Sequence, residues 1–146
     1  MSIYSNLWAD LSDSLCNAHK LEPCYFKDND PRSHSVRKKA YLLFLIEVVT
    51  YEYRKNEINI WFKQSFTNTL KSFIYNKTTL PPDQFSKLTD SEKIIVLQEH
   101  LLAYPLPEKA RSFLENLKSP LSSDDFEVDL SLGWTLGSGW KYLKHQ

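Results

Sequence analysis

Ile3, Leu7, Leu11 and Leu15 recur every four positions, with Trp8 and Ala18 filling the same side. That spacing follows the helical repeat with one face turned inward, and it predicts a helix from about Ser2 to Lys20. Glu22-Pro23 to Ser35 is polar and reads as a loop, with Pro31 opposing helix before it. A second helix is expected from about Ser35 to Lys55, apolar nearly all round between Tyr41 and Val49. A helix of that kind belongs at the centre of a fold, touched on several sides. Asn56 marks its stop. Ile58, Trp61, Phe62, Phe66, Leu70 and the Phe73-Ile74 pair then trace a third helical stripe.

Thr78 to Leu88 holds Pro81-Pro82 and reads as a connector. Thr89-Asp90-Ser91-Glu92 is a capping box: the Thr89 hydroxyl can take the Glu92 amide while the Glu92 carboxylate takes the Thr89 amide. It opens a fourth helix to about Tyr104, with Ile94, Ile95, Leu97, Leu101 and Leu102 expected inward. Pro107 suits a first helical position and starts a short fifth helix through Ala110, Phe113, Leu114 and Leu117, which Pro120 closes. No repeat period is visible.

After Asp125 the rhythm changes. Phe126, Val128, Leu130, Leu132, Trp134 and Leu136 alternate with polar residues and Gly133, a period of two that reads as a strand. All three glycines, Gly133, Gly137 and Gly139, fall in this last stretch beside Trp134 and Trp140. With Gly137-Ser138-Gly139 as a three-residue hairpin loop, Leu136 faces Trp140 and Trp134 faces Tyr142, so one sheet face is wholly apolar. The expected architecture is therefore mainly α, about five helices around a central apolar helix, closed by a C-terminal β-hairpin. The chain is expected to be one domain over 1–146, a helical body at 1–120 and a hairpin segment at 124–143. An unpaired edge of that hairpin would permit strand addition by a partner.

At 146 residues, 42% apolar and 25% charged, the chain has ordinary globular composition. The first residues lack a cationic start before an apolar run, no stretch is long enough to span a membrane, and there are two cysteines. A reduced cytoplasmic setting is the expectation. Net charge is zero but unevenly spread: residues 36–80 carry eight basic against three acidic groups, and residues 81–146 seven against ten.

Cys16, His19, Cys24 and His34 include zinc-ligand types, but their spacing matches no zinc pattern. On the first helix Cys16 points away from the leucine stripe. A small metal-dependent or acid–base enzyme would need that set, or a pocket around Glu47. This glutamate interrupts the apolar run of the central helix; buried, it would have a raised pKa and could serve as a general acid. The plainer expectation is pairing with a basic group or a tyrosine hydroxyl. The only glycines lie in the hairpin, so no Gly-rich phosphate loop exists, and no cofactor is expected.

Arg37, Lys38, Lys39, Arg54 and Lys55 make the middle helices basic among interleaved aromatics, which could form a nucleic-acid surface. Zero net charge weakens that reading and makes it the second choice. Asp124, Asp125, Glu127 and Asp129 form an acidic cluster suited to recognising a basic protein. By elimination the expected activity is binding and not catalysis.

In size, cytoplasmic character and lack of a catalytic set, the chain resembles the small helical immunity proteins of bacterial toxin–immunity pairs, of the colicin or contact-dependent growth inhibition type. The resemblance is one of overall design and assigns no residue. It implies an inhibitor that neutralises one toxin, often a nuclease, by covering its active site. The expected partner is then a cognate protein toxin or another basic protein, with no membrane involved. The chain would be a monomer alone and a heterodimer with its partner.

Overall fold

Residues 2–20, 31–57, 64–117 and 133–144 are described by the computed structural model, and every regular element among them is helical. Helix α1 (Ile3–Ala18) starts where Ser2, in extended conformation, accepts the Ser5 amide through its hydroxyl. It buries Leu7, Leu11 and Leu15 as its stripe predicts. Helix α2 (Pro31–Glu57) is the expected central element, one turn longer at its start than its sequence suggests. A proline needs no amide partner in a first turn, so Pro31 opens the helix there. Leu43 to Thr50 are buried without a break, because α1, α3 and α5 all pack on α2. Each aliphatic side chain removed from water in this way contributes about 1.5–3 kcal/mol.

Helix α3 (Phe66–Thr78) is capped by the Ser65 hydroxyl, which accepts the Asn68 amide, and it buries Leu70, Phe73 and Ile74. Ile58, Trp61 and Phe62 lie outside the described residues. The connector contains one helical turn, α4 (Pro82–Phe85), which carries Phe85 into the core. Helix α5 (Asp90–Ala103) has both halves of the predicted capping box in place. Helix α6 (Glu108–Asn116) begins one residue later than expected, with Pro107 as its N-cap. Phe113 stacks on Phe44 at 5.6 Å, and Tyr4 and Trp8 of α1 close the same aromatic cluster.

The hairpin is not present: there is no strand among the described residues. The segment 133–144 is a chain of turns ending in α7 (Trp140–Leu143). Gly133 and Gly137 hold φ of +88° and +96°, which sends the backbone through the left-handed region. Ser138, Trp140 and Tyr142 then donate their amides to Thr135, Gly137 and Gly139 in successive three-residue steps. Those bonds wind the segment where a hairpin would have laid it out. Its α7 rests against α1 and α2, and Gly137 lies against Phe66 of α3. The remainder of the proposed hairpin, up to Leu132, lies outside the described residues.

Candidate functional site

The middle of α2 and the segment 133–144 meet at Glu47. Its side chain is 0% exposed. Oε1 accepts two hydrogen bonds, from the Trp134 indole at 2.7 Å and from the Gly137 amide at 2.9 Å. The Trp140 indole donates to the Glu47 backbone carbonyl at 3.1 Å and to Thr50 Oγ1 at 3.3 Å. Thr50 is oriented by its own helix, donating back to the Ile46 and Glu47 carbonyls. Two indoles far along the chain therefore bind one turn of α2. At the outer edge Tyr142 donates its hydroxyl to Asp10 Oδ2 of α1 at 2.7 Å, and Lys141 Nζ stands 3.9 Å from the same oxygen. The hydrogen bond to Asp10, followed by burial, raises the Tyr142 pKa.

Burial pushes the Glu47 carboxyl up from 4.5 to about 7, against the downward pull of Trp134 and the Gly137 and Gly139 amides. The indole and the backbone amides are neutral, so they offset only part of the cost of a charge out of water. Oε2 has no hydrogen-bond partner. Glu47 is thus a carboxyl that exchanges a proton near neutrality under a cover built from its own chain. The expected pairing with a base or a tyrosine gives way to pairing with indole and backbone amides. Nothing in the local sequence around Glu47 marks Trp134 as its partner; the one signal is that the chain's glycines and two of its tryptophans sit together at its end.

The other expected residues separate. Cys16 is buried, contrary to its expected outward placement, because α1 is covered on a second side where Ser12 is also buried. Among the described residues no three metal-ligating side chains gather. Cys24 lies outside them. His19 is taken up elsewhere: Lys39 Nζ stands 2.9 Å from its Nε2. An ammonium can only donate, so that ring nitrogen accepts.

Lys39 is 1% exposed and so cannot belong to a nucleic-acid surface. Arg54 lies over the Trp140 ring at 4.5 Å and donates to the Gln64 carbonyl at 3.0 Å. Arg37 and Lys38 are half-buried, and Lys55 is exposed. The two basic groups stand about 25 Å apart along α2 at 1.5 Å per residue. The expected basic surface is two separate places, with Lys39 buried and Arg54 stacked on Trp140. Asp124, Asp125, Glu127 and Asp129 lie outside the described residues.

A second feature was not anticipated. Ile95 and Leu102, expected inward, are 61% and 57% exposed, and Val96 stands out beside them. Helix α5 packs on α2 and buries Ile94, Leu97 and Leu101, while Ile95 and Leu102 on the next face stay exposed. Leu102 forms the lip of a cleft of about 420 Å³ between α2, α5 and α6. Tyr41, Leu45, Leu114 and Leu117 line its apolar wall, and Arg111 and Glu115 stand at its α6 side. The available signal was an excess: α5 carries more apolar residues than a single stripe can bury. No known protein family, curated protein or solved structure matches the chain.

Proposed function

We propose that this chain is a non-catalytic protein-binding protein of the immunity type, neutralising a cognate toxin or another basic protein by direct contact. The observation that carries the reading is the open apolar face of α5. Ile95, Val96 and Leu102 stand in solvent beside a core that takes in the leucines around them. Large apolar side chains left in solvent on one helix, interleaved with exposed carboxylates, form a surface that a partner can cover. The acidic residues Asp124, Asp125, Glu127 and Asp129 add a charge suited to steering a basic partner onto the protein. Glu47, the carboxyl best tuned for acid–base work, is taken up in holding the segment 133–144.

The reading predicts a large exported toxin encoded beside this gene, an isolated gene counting against it, and co-expression of the two tests it. Cells carrying the protein are expected to survive, and cells carrying the toxin alone to die. Equal killing with and without the protein overturns it. With the purified pair, Asp124→Lys combined with Asp125→Lys is expected to slow association and flatten its salt dependence while the fold stays intact.

A further inference from the structure

The exposed row on α5 is acidic as well as apolar. Glu92, Ile95, Glu99 and Leu102 follow one another at steps of three and four, which puts them along one side of the helix. All four are exposed. The row ends at the cleft, where Glu115 is exposed one turn after Arg111 on α6. Neither Glu99, Glu115 nor Arg111 takes part in an ion pair among the described residues. Glu99 and Glu115, against one guanidinium, give this row open negative charge, added to the Glu92 carboxylate that already accepts the Thr89 amide.

Such a face has a definite complement. A strand partner would need a sheet edge, and no strand occurs among the described residues. An anionic membrane surface would be repelled by the carboxylates. A straight row of side chains leading into a groove suits a helix laid along it, apolar side down. From Glu92 to Leu102 the row is about 15 Å long, enough for roughly three turns of a partner helix. Lysine or arginine on the flanks of that helix would meet Glu92, Glu99 and Glu115. One acceptor at its end would take the Arg111 fork, which binds carboxylates or carbonyls in two-pronged fashion.

We infer that the α5 face and the α5–α6 cleft form a docking site for a basic amphipathic helix of a partner protein, with Ile95 and Leu102 as the apolar contacts and Glu99 and Glu115 as the charge contacts. This inference rests on the protein-binding reading and names its surface and the chemistry of the partner.

The test uses the full chain and two labelled synthetic peptides about 15 residues long, near the shortest length that holds a helix in water. Both place leucine at helical spacing on one face; one carries lysine on the flanks and the other glutamate. By fluorescence anisotropy at low salt, the lysine peptide is expected to bind at least about tenfold more tightly than its counterpart, and to weaken as salt rises. Glu99→Lys with Glu115→Lys should remove that preference. Ile95→Asp with Leu102→Asp should abolish binding, with helix content and thermal unfolding unchanged because both side chains are exposed.

Equal binding of the two peptides, or no binding of either, overturns the inference. So does binding indifferent to both double variants. Concentration-dependent dimerisation of the protein that disappears in Ile95→Asp with Leu102→Asp assigns the face to a second copy and also overturns it. Failure of toxin neutralisation with the peptide preference intact removes the immunity reading alone; neutralisation that survives the loss of peptide binding removes this surface alone.

Discussion

Trp134 donates its indole hydrogen to Glu47 Oε1 at 2.7 Å across 87 positions of sequence, and this bond joins the end of the chain to its central helix. Removing the acceptor leaves the buried Trp134 indole and the half-buried Gly137 amide without partners. Glu47→Ala is therefore expected to cost about 3–5 kcal/mol, from unsatisfied donors plus the cavity. Glu47→Gln keeps an acceptor oxygen in place and never carries a charge. It is expected to be at least as stable as the natural protein above neutral pH. Urea unfolding of both variants measures the difference.

The same residue sets a pH dependence. Unfolded, Glu47 titrates near 4.5; folded, burial moves it to about 7. Between those values the folded state holds a proton that the unfolded state has released, so stability falls as pH rises from 4.5 to 7 and then levels. The shift corresponds to about 3 kcal/mol at 1.36 kcal/mol per unit. Glu47→Gln should flatten this part of the stability–pH curve. An equally steep fall in the Gln variant would place the titration on another group.

The glycines separate two kinds of constraint. At Gly137 the φ of +96° is strained for any L side chain, and a Cβ would come within 2.9 Å of the Phe66 ring. At Gly139 the backbone is ordinary helical, φ −78°, and the constraint is space: a Cβ would lie 2.6 Å from Leu7 Cδ1 and 3.1 Å from Glu47 Cγ. Gly137→Ala and Gly139→Ala are each expected to destabilise by about 1–3 kcal/mol. Leu7→Ala makes room beside residue 139 only. In a double-mutant cycle Leu7→Ala should couple with Gly139→Ala and add simply with Gly137→Ala.

These residues also show what the sequence carries and what it hides. Helices α5 and α6 are legible because a stripe and a start signal coincide in each, and α1 and α3 from their apolar stripes alone. Thr89 and Glu92 cap α5 as their spacing requires. Around Trp134 the same pattern reasoning fails for a physical reason. Alternation of apolar and polar residues reports only that alternate side chains are covered, and a run of turns lying on helices can have that property as well as a strand does. Trp134 is buried, Thr135 exposed and Leu136 half-buried, yet helices supply the covering surface: Glu47 of α2 at Trp134, and Phe66 and Leu70 of α3 beside Leu136. Glu47 stood out as an interruption, while its partner could not be found locally. Apolar character alone puts Ile95 and Leu102 inward, and it cannot say how many sides of a helix have neighbours.

Lys39 gives a prediction that bears on the nucleic-acid alternative. Its ammonium is buried at 1% exposure against His19 Nε2. Lys39→Glu would bury a carboxylate beside that ring and is expected to cost about 3 kcal/mol or more, near 10 °C in Tm for a chain of this size. Lys39→Met keeps the volume without the charge and should cost far less. Loss of nucleic-acid binding in Lys39→Glu would thus report unfolding. Lys38→Glu and Lys55→Glu, at less buried positions, are the informative variants, with thermal unfolding as the control.

Arg54 tests the aromatic end of the site. Its guanidinium lies over Trp140 at 4.5 Å and Tyr51 at 5.2 Å, and Trp140 meets Tyr51 and Phe66 edge-on. The same group donates to the Gln64 carbonyl, tying the chain before α3 to α2. Arg54→Ala is expected to cost about 1–2 kcal/mol through lost stacking and a lost hydrogen bond from a charged donor. A lysine keeps the charge but lacks the planar fork, so Arg54→Lys should recover less than half of that. Because the stacked cation also covers Trp140, the Ala variant should shift tryptophan emission to longer wavelength. Full recovery by lysine would mean that charge alone holds Trp140 in place, and that stacking and the Gln64 bond contribute nothing.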